Sequence, residues 1–171
     1  LSFYKSTLEA YPKCIRAANN VGYALMALGR TDEAIAAYEA AQVINNNDVV
    51  KSNLAFCYLV KGDIPKAKEI FTSMTAASNE SKWGLGVISI TEGKYDDAVN
   101  YFGSEPCFNV ALAQLLKKDV NKAKVTLDSA KELCPDGRGS YLKAIVGAHL
   151  DDRNYMLDGL RDAVGKDAKW K

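Results

Sequence analysis

Small residues recur along this chain at nearly constant intervals, and that periodicity constrains the fold more than any other feature of the sequence. The first series, with spacings of 33, 31, 25 and 33 residues, is Gly22, Ala55, Gly86, Ala111 and Ala144. Two further series keep the same spacings: Ala34, Ala67, Ala98, Ala123 and Met156, and then Tyr38, Phe71, Phe102, Leu127 and Leu160. We call the three series together the ladder. A period in the thirties is typical of solenoids, in which each repeat is one supersecondary unit.

The residues between the ladder positions follow helical spacing. In the first repeat, apolar side chains from Ile15 to Leu28 recur at steps of three and four residues, which predicts one buried helix face. Gly29 then predicts a left-handed helix end, and Thr31 or Asp32 predicts the N-cap of a second helix. The order recurs along the chain, although Lys118 takes the place of the turn glycine in the fourth repeat. The chain is therefore predicted to be all-α, a stack of antiparallel helical hairpins with small residues at the helix crossings.

The spacings predict a single array over residues 1–171. Its predicted repeats are a partial one at 1–12 and then 13–47, 48–78, 79–104, 105–136 and 137–171. The repeat at 79–104 is short because Gly103 and Pro106 break its second helix, and we expect a local change of twist there. The chain opens at Leu1, without Met and inside a predicted helix, so we expect it to be a fragment of a longer protein.

Composition limits the classes of function. Of the 171 residues, 48% are hydrophobic, which supplies a continuous core and argues against disorder. Twenty-two basic and 21 acidic side chains leave a net charge of +1, so nothing favours binding to nucleic acid or to an anionic membrane. No apolar run approaches the length needed to cross a bilayer.

The cysteines and the single histidine do not form a recognisable chemical site. Cys14, Cys57, Cys107 and Cys134 have no zinc-binding or redox spacing, so we expect reduced, packed thiols. Reduced thiols favour a reducing compartment such as the cytoplasm, and a periplasmic or secreted location stays open because of the missing N-terminus. No Ser, Cys or Lys has an identifiable base near it. We therefore expect neither an enzyme nor a metal or cofactor site.

The ladder resembles the tetratricopeptide repeat. The nearest match is Val21-Gly22 with Leu25, Ala34 and Tyr38, and Leu54-Ala55 with Tyr58, Ala67 and Phe71 is almost as close. The resemblance covers essentially the whole chain, although Trp is absent from its usual place and Met156 stands where the second helix usually has Ala. It implies a right-handed α-solenoid that acts as a protein-interaction scaffold.

The resemblance also implies a concave groove lined by the first helices of successive hairpins. The residues placed there are Asn19, Tyr23, Met26, Ser52, Phe56, Leu59, Trp83, Val87, Ile90, Phe108, Leu112, Leu115, Tyr141, Ile145 and His149. This set is apolar and aromatic, as is typical of an interaction surface. The Lys, Asn and Arg clamp with which relatives grip a C-terminal carboxylate is missing. The implied partner is an apolar peptide or an amphipathic helix of another protein.

Two alternatives to a receptor for another protein stay open at this point. The groove could be covered by flanking helices or by a second copy of the chain, which would make the module structural or oligomerising. The array could also be an accessory module of a larger multidomain protein.

Overall fold

The computed structural model describes residues 2–75, 78–130 and 137–166. These residues form eleven α-helices and contain no β-strand, so the predicted all-α class is confirmed. The helices are α1 (Ser2–Ala10), α2 (Ile15–Ala27), α3 (Thr31–Ile44), α4 (Asp48–Lys61), α5 (Ile64–Thr72), α6 (Asn79–Thr91), α7 (Tyr95–Phe102), α8 (Phe108–Leu116), α9 (Val120–Ser129), α10 (Arg138–His149) and α11 (Arg153–Lys166). None of the described helices is long and apolar enough to span a membrane.

The chain divides into two compact units, residues 1–88 and 89–171. The division falls inside α6, and thus inside the repeat predicted at 79–104. The predicted repeat boundaries stay a prediction. We describe each unit by itself.

Glycine turns close the hairpins of the first unit. Gly29 and Gly62 follow α2 and α4 with φ of +72° and +85°, a left-handed conformation that glycine adopts without a steric penalty. The N-cap prediction for the first hairpin was wrong, because α3 begins at Thr31 itself and Arg30 precedes it. Arg30 instead forms a bidentate ion pair with Glu33, with both N–O distances at 2.6 Å. A charged pair on the first turn thus stands in place of a side-chain cap.

The core of the first unit is built from aromatic rings that lie on glycines. Tyr38 on α3 is 1% exposed, and a Cβ atom on Gly22 would lie 2.6 Å from its Cζ. Phe71 on α5 is likewise buried, and a Cβ on Gly84 would lie 2.2 Å from its Cζ. The ladder alanines Ala34, Ala55 and Ala67 have no exposed surface. The ladder therefore predicted the core here, but the glycine beneath Phe71 is Gly84, not the ladder's Gly86.

The second unit begins with a short helix and continues with two hairpins, α8–α9 and α10–α11. The short helix α7 ends at Phe102 and is followed by Gly103 at φ +86°, the glycine that was predicted to break it. The hairpin turns use Lys118 and Asp151 at φ +70° and +56°. The left-handed turn of the repeat is thus kept after its glycine is lost.

In the last hairpin, two backbones approach each other directly. A Cβ on Gly147 would lie 2.6 Å from the backbone nitrogen of Met156, and a Cβ on Gly159 would lie 2.6 Å from the backbone nitrogen of Ala144. At the last ladder position, Leu160 is 37% exposed and does not fill the core as Leu127 does. Because glycine brings α11 so close to α10, no large side chain is needed between them.

Candidate protein-binding faces

The predicted groove residues fall into one set in each unit. The set on α2, α4 and α6, which we call the first-unit face, comprises Asn19, Tyr23, Met26, Phe56, Leu59, Trp83 and Val87. The set on α8 and α10, which we call the second-unit face, comprises Phe108, Leu112, Tyr141 and Ile145. Each set is described within its own unit, so a groove that joins them stays a prediction.

A side-chain hydrogen bond aligns the first two helices of the first-unit face. The Nδ2 of Asn53 on α4 donates to Oδ1 of Asn19 on α2 at 2.8 Å. Helical spacing then places Tyr23 one turn beyond Asn19 and Phe56 one turn beyond Asn53. Asn53 was not among the predicted partner-binding residues.

An aromatic cluster forms the other end of this face. The ring of Phe56 meets that of Phe71 edge to face, with centroids 5.2 Å apart, and meets that of Trp83 in the same manner at 6.1 Å. Phe71 is buried, Phe56 is half-buried and Trp83 is 48% exposed. The cluster therefore runs from the core to the surface, with Phe56 in contact with both the buried ring and the exposed one.

The remaining members of the first-unit face differ in how much surface they offer. Tyr23 is 69% exposed. Met26 and Leu59 are half-buried and pack against the core. None of the seven side chains is charged, so this face offers apolar surface together with the amides of the Asn19–Asn53 pair.

The structure places Ser52 in the interior. It is 5% exposed, and its Oγ donates to the backbone carbonyl oxygen of Val49 at 3.0 Å. Its prediction as a partner-binding residue is therefore wrong, because neither its surface nor its hydroxyl is available to a partner.

The second-unit face is also apolar. Phe108 and Leu112 on α8 are half-buried and pack against the core of their unit, and so does Leu115, which the prediction also placed in the groove. The guanidinium carbon of Arg138 lies 5.9 Å from the centroid of the Phe108 ring, within the range of a cation–π contact. Tyr141 on α10 is 40% exposed. Neither α8 nor α10 contains Asp or Glu, so the formal charge on these two helices is only positive.

The structure describes three of the four cysteines. Cys57 is fully buried, and burial raises the pKa of its thiol to about 11. Cys14 and Cys107 are half-buried free thiols, and Cys134 lies outside the described residues. Within the described ranges, no three His, Cys, Asp or Glu residues are grouped so that they could hold a metal ion.

Comparisons with known proteins agree with this architecture. The sequence profile of the tetratricopeptide repeat matches residues 25–85. No curated protein sequence matches the chain significantly. Similarity to individual proteins is therefore found at the level of structure.

Three solved structures illustrate that similarity. A chain of the APC/C hetero-tetramer Cut9–Hcn1 matches 96% of this chain with a TM-score of 0.82 and 17% identity, and this chain covers 35% of it. A thermophilic tetratricopeptide repeat protein of Thermus thermophilus matches 91% of this chain and 93% of its own, with a TM-score of 0.74 and 18% identity. YrrB, a tetratricopeptide repeat protein with an unusual peptide-binding site, matches 95% and 91% respectively, with a TM-score of 0.56 and 16% identity. Residues 25–85 therefore match the model of the tetratricopeptide repeat family, and nearly the whole chain has the fold of these solved tetratricopeptide repeat proteins.

Proposed function

We propose that this chain is a protein-interaction scaffold whose first-unit and second-unit faces bind an apolar segment of another protein. The observation that carries the proposal is the position of Trp83. Its ring is held edge to face by Phe56, yet nearly half of its surface is exposed. A pre-oriented aromatic ring loses little conformational entropy on binding, and Trp and Tyr contribute disproportionately to binding energy at interfaces.

The size of the expected contribution follows from the area that a partner would cover. A tryptophan side chain buries up to about 250 Å². Covering the exposed half of Trp83 would then contribute about 2–3 kcal/mol at roughly 25 cal/mol per Å² of apolar surface. Tyr23 adds a second exposed ring on the same face. Two such anchors suit a segment that presents apolar side chains on successive turns of a helix.

The absence of charge on the first-unit face limits the chemistry of that segment. The seven side chains include no Lys, Arg, Asp or Glu, so affinity there depends on apolar contact and on hydrogen bonds to Asn19 and Asn53. We infer an amphipathic helix or an apolar peptide as the partner segment. The peptide-binding site of YrrB, a protein of the same fold, supports this choice by analogy.

Affinity capture from the lysate of the source cell tests the proposal. The bait is the wild-type chain, and the test variant carries Tyr23→Ala and Trp83→Ala. The control is Tyr11→Ala, because Tyr11 has the same 69% exposure as Tyr23 but lies in the turn after α1. We expect a captured protein to be lost with the test variant and kept with the control. Equal capture by all three baits would contradict the first-unit face.

The second-unit face has its own matched pair of variants. Tyr141 on α10 and Tyr101 on α7 are both 40% exposed, but only Tyr141 belongs to the face. If the second-unit face contributes, Tyr141→Ala weakens binding of the captured partner, whereas Tyr101→Ala leaves it unchanged. Equal affinities for the two variants would restrict the proposal to the first unit.

Self-association is a second candidate, favoured by the outer surface of α11. Leu157, Leu160 and Val164 are exposed at steps of three and four residues along this helix, which is the spacing of an apolar stripe. If a second copy covers the stripe, the sedimenting mass rises with concentration, and Leu160→Glu abolishes that rise. A constant mass would contradict self-association through α11 and leave the receptor proposal unaffected.

A further inference from the structure

An open cleft lies among the first three helices of the first unit, apart from the first-unit face. Its volume is about 450 Å³, and it is lined by Leu8, Glu9, Pro12, Ala18, Val21, Ala37, Ala40 and Ile44. No residue of the first-unit face lines it. The cleft is therefore a separate feature of the unit, of the size usual for small-molecule sites.

Small side chains on α3 explain why the cleft stays open. Ala37 and Ala40 line it, whereas the positions 33 residues later in the next hairpin hold Ile70 and Ser73. Ile70 packs against the core of the unit. Its branched side chain in the second hairpin therefore fills the space that Ala37 leaves empty in the first. The cleft results from specific residue choices at one point of the repeat.

The lining also sets the chemistry of a ligand. Seven of its eight residues are apolar, and Glu9 on α1 is the only ionisable one. Glu9 forms no ion pair or hydrogen bond through its side chain to any described residue. An apolar body would cover the hydrophobic wall, and a cation at the rim would pair with this carboxylate.

We propose that this cleft binds a small apolar cation, a molecule with an aliphatic or aromatic body and one ammonium group. The apolar wall supplies most of the affinity, and the Glu9 carboxylate supplies the selection for positive charge. The site is independent of partner binding by the two faces, and its failure would leave that function untouched.

Three probes with a common body separate these two contributions. They are 4-phenylbutylammonium, 4-phenylbutanol and 5-phenylvalerate, which share the phenylbutyl body and differ in charge. Titration at neutral pH of protein labelled at its alanine methyl groups reports binding through Ala18, Ala37 and Ala40, while the buried Ala123 of the second unit serves as the internal control. We expect the cation to shift the three lining methyls saturably, and to bind roughly fivefold more tightly than the alcohol, as suits a charge pair at a partly hydrated rim. The carboxylate should bind more weakly still.

Two variants test the assignment of each contribution. Ala37→Ile places the side chain of the next hairpin in the cleft and should abolish the shifts, with folding checked by circular dichroism. Glu9→Gln should keep binding but remove the preference for the cation, whereas Glu69→Gln, an exposed carboxylate on α5 outside the cleft, should change nothing. The proposal is overturned if no probe shifts the lining methyls, if all three probes bind equally well to the wild type, or if Glu9→Gln keeps the preference.

Discussion

The two units bring their paired helices together by different means. In the first unit, a buried ring fills the space above a glycine, as Tyr38 does on Gly22. In the last hairpin of the second unit, Gly147 and Gly159 let backbone meet backbone. A ring can rotate or be replaced, whereas a backbone contact can relax only if a helix moves. The two helices of a hairpin therefore meet through a side chain that can repack in the first unit. In the last hairpin of the second unit they meet through rigid backbone.

The largest effect is expected at the rigid contact. Gly159→Ala places a methyl group 2.6 Å from the backbone nitrogen of Ala144 and 2.7 Å from the carbonyl oxygen of Ser140. Because neither atom can move without α10, we expect the free energy of unfolding to fall by about 3 kcal/mol, at the upper end of overpacking costs. Urea denaturation followed by circular dichroism measures the change.

A glycine on the same helix supplies the control for that substitution. A Cβ atom on Gly165 would have no heavy atom within 4 Å, so Gly165→Ala should stabilise the chain by up to about 0.5 kcal/mol through helix propensity. If Gly159→Ala were no worse than Gly165→Ala, the close approach of α10 and α11 would be wrong.

A pair of double-mutant cycles distinguishes the ring contact from the backbone contact. Gly22→Ala should cost about 2 kcal/mol because its methyl meets the Tyr38 ring. Combining it with Tyr38→Leu removes the ring, so the two losses should be less than additive by about 1 kcal/mol. In the second unit, Gly147→Ala with Met156→Ala should be additive, because the clash is with the Met156 backbone. Equal coupling in both cycles would contradict the distinction between the units.

The hairpin turns also differ between the units, because those of the first unit carry no backbone strain. Gly29 and Gly62 adopt positive φ freely, whereas Lys118 and Asp151 hold the same conformation with a side chain. We expect Lys118→Gly to raise the unfolding free energy by about 1 kcal/mol, because the left-handed region costs that much for a residue with a Cβ atom.

Matched substitutions check the turn prediction. Asp151→Gly should stabilise the chain in the same direction as Lys118→Gly. Asn121→Gly, on the exposed surface of α9, should destabilise it, since glycine is unfavourable in a helix of ordinary φ. A loss of stability in Lys118→Gly would show that the Lys118 side chain contributes more than its strained backbone costs.

The smallest effect is expected where the units agree. Each has an exposed ion pair between a second helix and the end of the next hairpin's first helix: Lys61 with Asp32, and Lys117 with Asp96. These lysines and aspartates occupy equivalent places of the repeat. Lys61→Met and Lys117→Met should lower the melting temperature slightly at low salt and by nothing measurable at high salt, because exposed pairs are screened. A loss that persists at high salt would contradict this prediction, because Met keeps the apolar stem of Lys and removes only its charge.

Periodicity was enough to predict the fold and the core of the first unit. Ala34, Tyr38, Ala67 and Phe71 are all buried, as the ladder required. The turn at Lys118 was marked by its place in the repeat, where the first three hairpins hold glycine, but its left-handed conformation was not predicted. What failed were the contacts that depend on neighbouring helices: Gly84, Gly147 and Gly159 have no ladder position, so nothing in the repeat pattern marked them.

The sequence proposes which residues belong to the candidate faces, but it does not show how exposed each of them is. The resemblance to the tetratricopeptide repeat assigned Tyr23 and Trp83 to the predicted groove, and both side chains are exposed. It could not show that Ser52 turns inward to a backbone carbonyl, because a small hydroxyl side chain fits either environment. Nor could it show that Phe56 joins core and surface, since that depends on Phe71 of the following helix.

The buried thiol of Cys57 can report how often the first unit opens. With its pKa raised to about 11 by burial, only about one molecule in ten thousand carries the reactive thiolate at neutral pH. Alkylation of this cysteine must then wait for a fluctuation that exposes α4 to solvent. The rate at which Cys57 is alkylated under native conditions therefore measures how often this unit opens. A partner bound to the first-unit face, which includes residues of α4, would lower that rate.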